Sequence, residues 1–292
     1  MIMMKNRKIP WQSLIVNWQG IILFAVISLI TANLSASVLV APTSVYLSET
    51  DRTGRMTLQN PTDHPEEISV FFRFGIPVSD SLGNVQIELS DTTGYSDPRS
   101  CVDWLKVFPR KLILAPGASQ VIRFVARPPK NLPDGEYWAR IVIRSEGSST
   151  TLPVAGQNEQ ITTKLNMIMQ TAIILKYRTG NLISKLDVID TRIKNDDSTV
   201  NCYIDMANRG NVSYIGILKG RLIDANKKEI ASDRINLAVY RDLTRVLSFK
   251  VPPNNFQPPF KVEVSIDNDD RKDLPPEGII QGNSFLYTIA AE

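Results

Sequence analysis

A catalytic centre needs a group that can exchange a proton near neutral pH, or a nucleophile with a base beside it. Only one histidine, His64, occurs in the 292 residues, and it stands in Pro61-Thr62-Asp63-His64-Pro65. That is turn composition, so a surface-loop histidine is favoured over a catalytic one. There is no Gly-x-Ser-x-Gly, no His-Glu-x-x-His and no phosphate-cradling glycine loop. Cys101, Cys202 and one distant histidine fall short of the ligand set of a structural zinc site. Asp267-Asn268-Asp269-Asp270 and Asn195-Asp196-Asp197 offer oxygen ligands of the calcium type but lack the EF-hand spacing, and Arg271 and Lys272 follow the first run at once. Both read as solvated loops. The expectation is a protein that is not an enzyme, with no cofactor and no metal. The net charge of +3, without a run of Lys or Arg, argues against a nucleic-acid partner.

The chemistry that remains is recognition. Lys164 to Tyr177 reads KLNMIMQTAIILKY. Leu165, Met167 and Met169 alternate on one face, and Ile173, Leu175 and Tyr177 keep the same parity. Ile168 and Ile174 add apolar residues to the other face. The run is long against the usual strand of about five or six residues. It could be buried between two sheets and at a domain junction. It could equally be an edge strand that offers its backbone and an apolar row to another chain. Physics alone leaves both readings open.

The surrounding elements are β-strands. After residue 38, short apolar runs are separated by Gly, Pro, Asn and Asp clusters such as Asn60-Pro61-Thr62-Asp63 and Ala115-Pro116-Gly117. This predicts an all-β protein of sandwiches, the last strand of the first series running from Thr163 to Tyr177. A second series spans Ile183 to Ile289, beyond a hinge at Arg178-Thr179-Gly180-Asn181. The length fits two domains at roughly 100–200 residues each. The halves share an order of elements. Leu112-x-Leu114 and Val121-x-x-Phe124, then Tyr137 to Ile143, correspond to Ile235-x-Leu237 and Val246-x-x-Phe249, then Phe260 to Ile266. Asn60-Pro61 has a counterpart in Asn208-Arg209-Gly210-Asn211. The expected domains are 38–178 and 181–292. Cys101 and Cys202 fall in different ones, and Cys202 alternates inward with Val200, Ile204 and Met206, so two free thiols are expected.

The first 37 residues read as a signal peptide. Lys5, Arg7 and Lys8 precede the uncharged run Ile21 to Ile30, which is well short of a bilayer span, and small residues follow at Ser35-Ala36-Ser37. An uncleaved anchor is the alternative, since Trp11 to Gly20 makes the leading region long. Either way the remainder lies outside the cytoplasm.

Trp104-Leu105-x-Val107-x-Pro109-Arg110-x-Leu112-x-Leu114-x-Pro116-Gly117-x-x-Gln120-x-x-Arg123-Phe124 resembles the first domain of the PapD-like periplasmic chaperones of pilus and fimbrial assembly. So does Pro133-Asp134-Gly135-Glu136-Tyr137-Trp138-Ala139-Arg140, as do Val40-x-Pro42-x-x-Val45-x-Leu47 and Met56-x-Leu58-x-Asn60-Pro61. The resemblance covers about residues 38–178 well and the second half in outline. It implies two immunoglobulin-like β-sandwiches in tandem, a periplasmic location, and donor-strand complementation. In that mode the chaperone lends an edge strand to a pilus-type subunit that lacks one, then delivers the subunit to an outer-membrane usher. Leu165, Met167 and Met169 are the implied donor residues, with Thr171 and Ile173 continuing the row. A self-capping homodimer is a further partner the family suggests. The family's basic clamp for the subunit's terminal carboxylate maps onto Thr43 and Ile174, neither of them basic. Lys176 and Arg178 are the candidate replacements, and the chain reads as a divergent member. The rival readings are a structural or adhesive envelope protein and, behind it, a hydrolase relic without its acids and base.

Overall fold

The inner face of each strand follows from alternation of apolar and polar residues. The computed structural model describes residues 38–90, 97–147, 150–153, 162–165, 167–196, 198–252, 259–268 and 271–291, with 150–153, 162–165 and 291 as backbone only. The expected signal segment lies outside the described residues.

The first half is a sandwich of two sheets. One sheet is ordered β1 (Leu39–Ala41), β3 (Thr53–Gln59), β9 (Ser119–Ala126), β7 (Leu105–Phe108), all antiparallel. The other is ordered β2 (Ser44–Ser48), β13 (Ile168–Thr179), β10 (Gly135–Gly147), β4 (Glu66–Arg73), β8 (Lys111–Leu114). Met56 and Leu58, Ile122 and Phe124, and Tyr137, Ala139 and Ile141 point inward and close one core with Leu175 and Tyr177. The chain changes sheets at Pro42-Thr43. β1 belongs to the first sheet, and β2 runs parallel to β13 in the second. Two hairpins extend this sandwich: β5 (Gly75–Ser79) with β6 (Val85–Leu89), and β11 (Thr150–Pro153) with β12 (Thr162–Leu165).

The second half packs β14 (Leu186–Asp196), β15 (Thr199–Asn208) and β18 (Asp242–Lys250) against the sheet β17 (Glu229–Val239), β16 (Tyr214–Ile223), β19 (Phe260–Asp267), β20 (Phe285–Ala291). Its separate core includes Val200, Ile204, Tyr214, Leu247, Phe249 and Val264. The protein is thus all-β, built from two sandwiches in tandem. Cys101 and Cys202 are free and buried, one in each core.

The two asparagines matched by sequence do the same work. The Asn60 amide donates to the carbonyls of His64 (2.8 Å) and Leu114 (2.9 Å), and its Oδ1 accepts from the Thr62 N–H (2.9 Å). Asn208 donates to the carbonyls of Val212 (2.7 Å) and Tyr240 (3.1 Å), and its Oδ1 accepts from the Gly210 N–H (2.9 Å). Each satisfies the buried backbone of a turn after an inner strand, in the same i+2 and i+4 pattern.

Two expectations change. The stretch read as one strand from Thr163 to Tyr177 is divided: β12 pairs with β11, and β13 begins afresh at Ile168. The hinge narrows to Gly180 and Asn181, because Arg178 and Thr179 remain in β13, paired with Glu136 and Gly135. Gly180 turns the chain at φ 65°, a region glycine enters without strain.

Candidate functional site

The candidate site is the two edges of β13. Along its whole length β13 pairs antiparallel with β10, from Ile168 opposite Glu146 to Thr179 opposite Gly135. On its other edge β2 covers only Ile174 to Arg178. Because the chain switches sheets at Pro42-Thr43, no strand among the described residues covers the other edge from Ile168 to Ile173. Among the described residues, half of β13 is therefore interior and half is an edge strand.

Side-chain burial follows the same division. Tyr177, Leu175 and Ile173 point into the core. Thr171 is half-buried, and Met169, of the same parity, is 41% exposed. Met167 at 66% and Ile168 at 49% complete an exposed apolar group just beyond the core's end. Of the proposed donor row, Met169 and Thr171 stand along the open segment, and Met167 stands just before it. Ile173 does not belong with them: it is 5% exposed because its side chain fills this sandwich's own core. Leu165 lies one break away, its backbone in β12 opposite Thr150. Its side chain is outside the described residues.

Lys176 and Arg178 do not stand free either. Their parity is opposite to that of the donor row, so with Ile174 they occupy the outer face of β13, towards the second sandwich. Across the strand pair, Arg178 faces Glu136 and Lys176 faces Trp138. The Glu136 carboxylate is fully buried and accepts from Arg178 Nε at 2.7 Å, with Lys176 Nζ at 3.2 Å. Trp138 Nε1 donates to it at 2.7 Å, and Ser213 Oγ at 2.5 Å. Burial would raise the Glu136 pKa, but Lys176, Arg178 and the hydrogen bonds from Ser213 and Trp138 outweigh it and hold it at about 2. Burial lowers the Lys176 pKa, against the pull of Glu136. Arg178 also donates to the carbonyls of Glu277 and Gly278, and its guanidinium lies over Tyr46, 5.2 Å from the ring centroid. Ser213, Glu277 and Gly278 belong to the second half, so the cluster joins the two sandwiches.

The two candidate anchors are thus paired to an internal carboxylate. Glu136 is the residue that sequence reasoning missed as their partner. The available signal was its parity, opposite to that of the core residues Tyr137, Ala139 and Ile141 on the same strand. Thr43, at one family clamp position, is exposed, and Ile174, at the other, packs against Phe74, Ile76, Trp138 and Tyr240. A neighbouring cleft of about 540 Å3 is lined by Glu49, Asp51 and Glu277, with Arg178 as its cation. That charge balance disfavours a carboxylate ligand there.

Several of the groups considered for catalysis or metal binding have partners within the fold. His64 sits in its turn with Nδ1 3.0 Å from Asp63 and Nε2 3.1 Å from the buried Glu66. Asp267 pairs with Lys219 at 3.2 Å, and Asn268 donates to the Ile215 carbonyl and accepts from the Gly282 N–H. Asp197, Asp269 and Asp270 lie outside the described residues. Among the described residues no group of three or more His, Cys, Asp or Glu could hold a metal ion.

No protein-family model matches the chain, and no curated protein matches it by sequence. Among solved structures it is similar to the YadV chaperone, at 15% identity and a TM-score of 0.41, over 87% of this chain and 100% of that one. It is also similar to the class 5 fimbriae chaperone CfaA, at 17% identity and a TM-score of 0.40, over 85% of this chain and 98% of that one. The CupB2 chaperone of Pseudomonas aeruginosa shows 12% identity and a TM-score of 0.40, over 87% and 100%. These are likenesses of fold at low identity.

Proposed function

We propose that this chain is a non-catalytic assembly chaperone of the periplasm. It lends the open edge of β13 to a pilus-type subunit that lacks a strand, and passes the subunit to an outer-membrane usher. The observation that carries this reading is the uncovered segment Ile168 to Ile173, with Met167, Ile168 and Met169 exposed beside it. Backbone pairing along that edge supplies affinity, and the alternating side chains set the register. Methionine suits such a row because its unbranched chain adapts to a groove. Leu165 extends the row if the client's groove reaches back to the end of β12. Lys176 and Arg178 support the domain junction rather than the client's carboxylate, so the client's end is held by contacts other than a basic clamp. The same free edge is available to a second copy, which would make the resting state a self-capped dimer. The adhesive or structural alternative is less favoured, since it gives no role to an uncovered apolar edge.

The test is co-expression, in the periplasm, with a pilus-type subunit encoded beside this chain. A Met167→Ser/Met169→Ser/Thr171→Lys variant should lose the co-purifying subunit while its circular dichroism is unchanged. Retention of the subunit by that variant would sink the donor-edge reading.

A further inference from the structure

The sheet that does not contain β13 has an outer face with an unusual charge pattern. Its four strands, β1, β3, β9 and β7, contain no Asp or Glu at all. Arg55 of β3 stands directly opposite Arg123 of β9, and Arg123 stands directly opposite Phe108 of β7. Lys106 faces Val125 one row away. All point to solvent: Phe108 is 76% exposed, Val121 40% and Val125 37%. None of Arg55, Arg123 and Lys106 makes an ion pair among the described residues. Like charges placed directly opposite across a ladder destabilise it, so this arrangement works against the fold unless something anionic neutralises it.

We propose that this face docks an acidic polypeptide segment. One carboxylate sits between Arg55 and Arg123, which stand opposite each other across the ladder, and an apolar side chain of the same segment lies on Phe108 and Val125. Guanidinium groups suit this role because their planar forks match a carboxylate. Arginine and aromatic residues are also the usual anchors of protein interfaces. An anionic bilayer is the weaker fit, since three cations fall below the cluster of roughly four to eight that holds a protein at a lipid surface. The face is independent of the donor-edge reading, and both could be occupied together.

The experiment is fluorescence anisotropy of a labelled peptide of repeating Glu-Leu-Asp-Phe with the full chain, at low and at physiological salt. Wild type should bind, more weakly as salt rises. Arg55→Gln/Arg123→Gln should bind about tenfold more weakly or worse and lose most of the salt dependence, while its Tm is unchanged or higher. Phe108→Ser should weaken binding with the salt dependence kept. Lys185→Gln/Lys261→Gln on the second sandwich removes the same charge and should change nothing. The proposal falls if that control weakens binding as much as the arginine pair, or if the arginine variant binds like wild type. It falls equally if wild type ignores the peptide and binds phosphatidylglycerol vesicles, which would assign the face to the membrane.

Discussion

Glu136 and Arg178 face each other across the antiparallel β10–β13 pair, with Arg178 Nε 2.7 Å from the Glu136 carboxylate, and both are buried where the two sandwiches meet. The pair also settles what Lys176 can do. One carboxylate is shared by two cations, and the lysine is the more distant, at 3.2 Å.

Removing the carboxylate strands two buried cations. Glu136→Gln should therefore cost about 3–5 kcal/mol, the range for breaking a buried ion pair from one side. Lys176→Met should be near neutral or stabilising, because Arg178 still satisfies Glu136 and a costly buried ammonium is gone. Urea denaturation of the two variants checks the contrast, and equal losses would contradict it.

The same cluster predicts acid sensitivity. The Glu136 pKa falls from 4.5 when unfolded to about 2 when folded. A depressed carboxylate contributes stability that is present above pH 4.5 and lost as pH falls towards 2. The contribution is about 3 kcal/mol by linkage. Denaturation followed from pH 6 to pH 2 should show a steeper loss for wild type than for Glu136→Gln.

His64 runs the other way. Its hydrogen bond to Asp63, helped by Glu66, raises its pKa above 6.5 despite some desolvation. A raised histidine stabilises fully below pH 6.5, and that part is lost as pH rises through the folded value. The Tm difference between wild type and His64→Ala should be larger at pH 5.5 than at pH 8.5. A difference independent of pH would remove the charge from the explanation.

Burial along β13 divides residues of one parity into two classes. Ile173→Ala should cost about 2–5 kcal/mol through a core cavity. Met169→Ser should stay within about 0.5 kcal/mol, since its side chain is exposed and outside the core. Thermal melts of the two single variants test where the core ends.

Much of this was legible in the sequence. Alternation of Val200, Cys202, Ile204 and Met206 placed an inward face without further information, because side chains of a strand alternate strictly. Asn60 and Asn208 revealed two related turns, because a buried turn needs an amide with both a donor and an acceptor. The strand Ile76-Pro77-Val78 of β5 was missed, since proline there argues against a central strand and β5 belongs to a hairpin that tolerates it.

What the sequence could not decide was which edge of β13 is covered and how far. Parity in KLNMIMQTAIILKY names the residues that share a face, and this is a local property of the chain. Whether that face is core or solvent depends on where the other sheet ends, and whether the edge is free depends on where β2 begins to pair. Both are long-range facts. They made Ile173 a core residue, left Met167 and Met169 exposed, and turned Lys176 and Arg178 from candidate anchors into partners of Glu136, which is distant in sequence but one strand away in space.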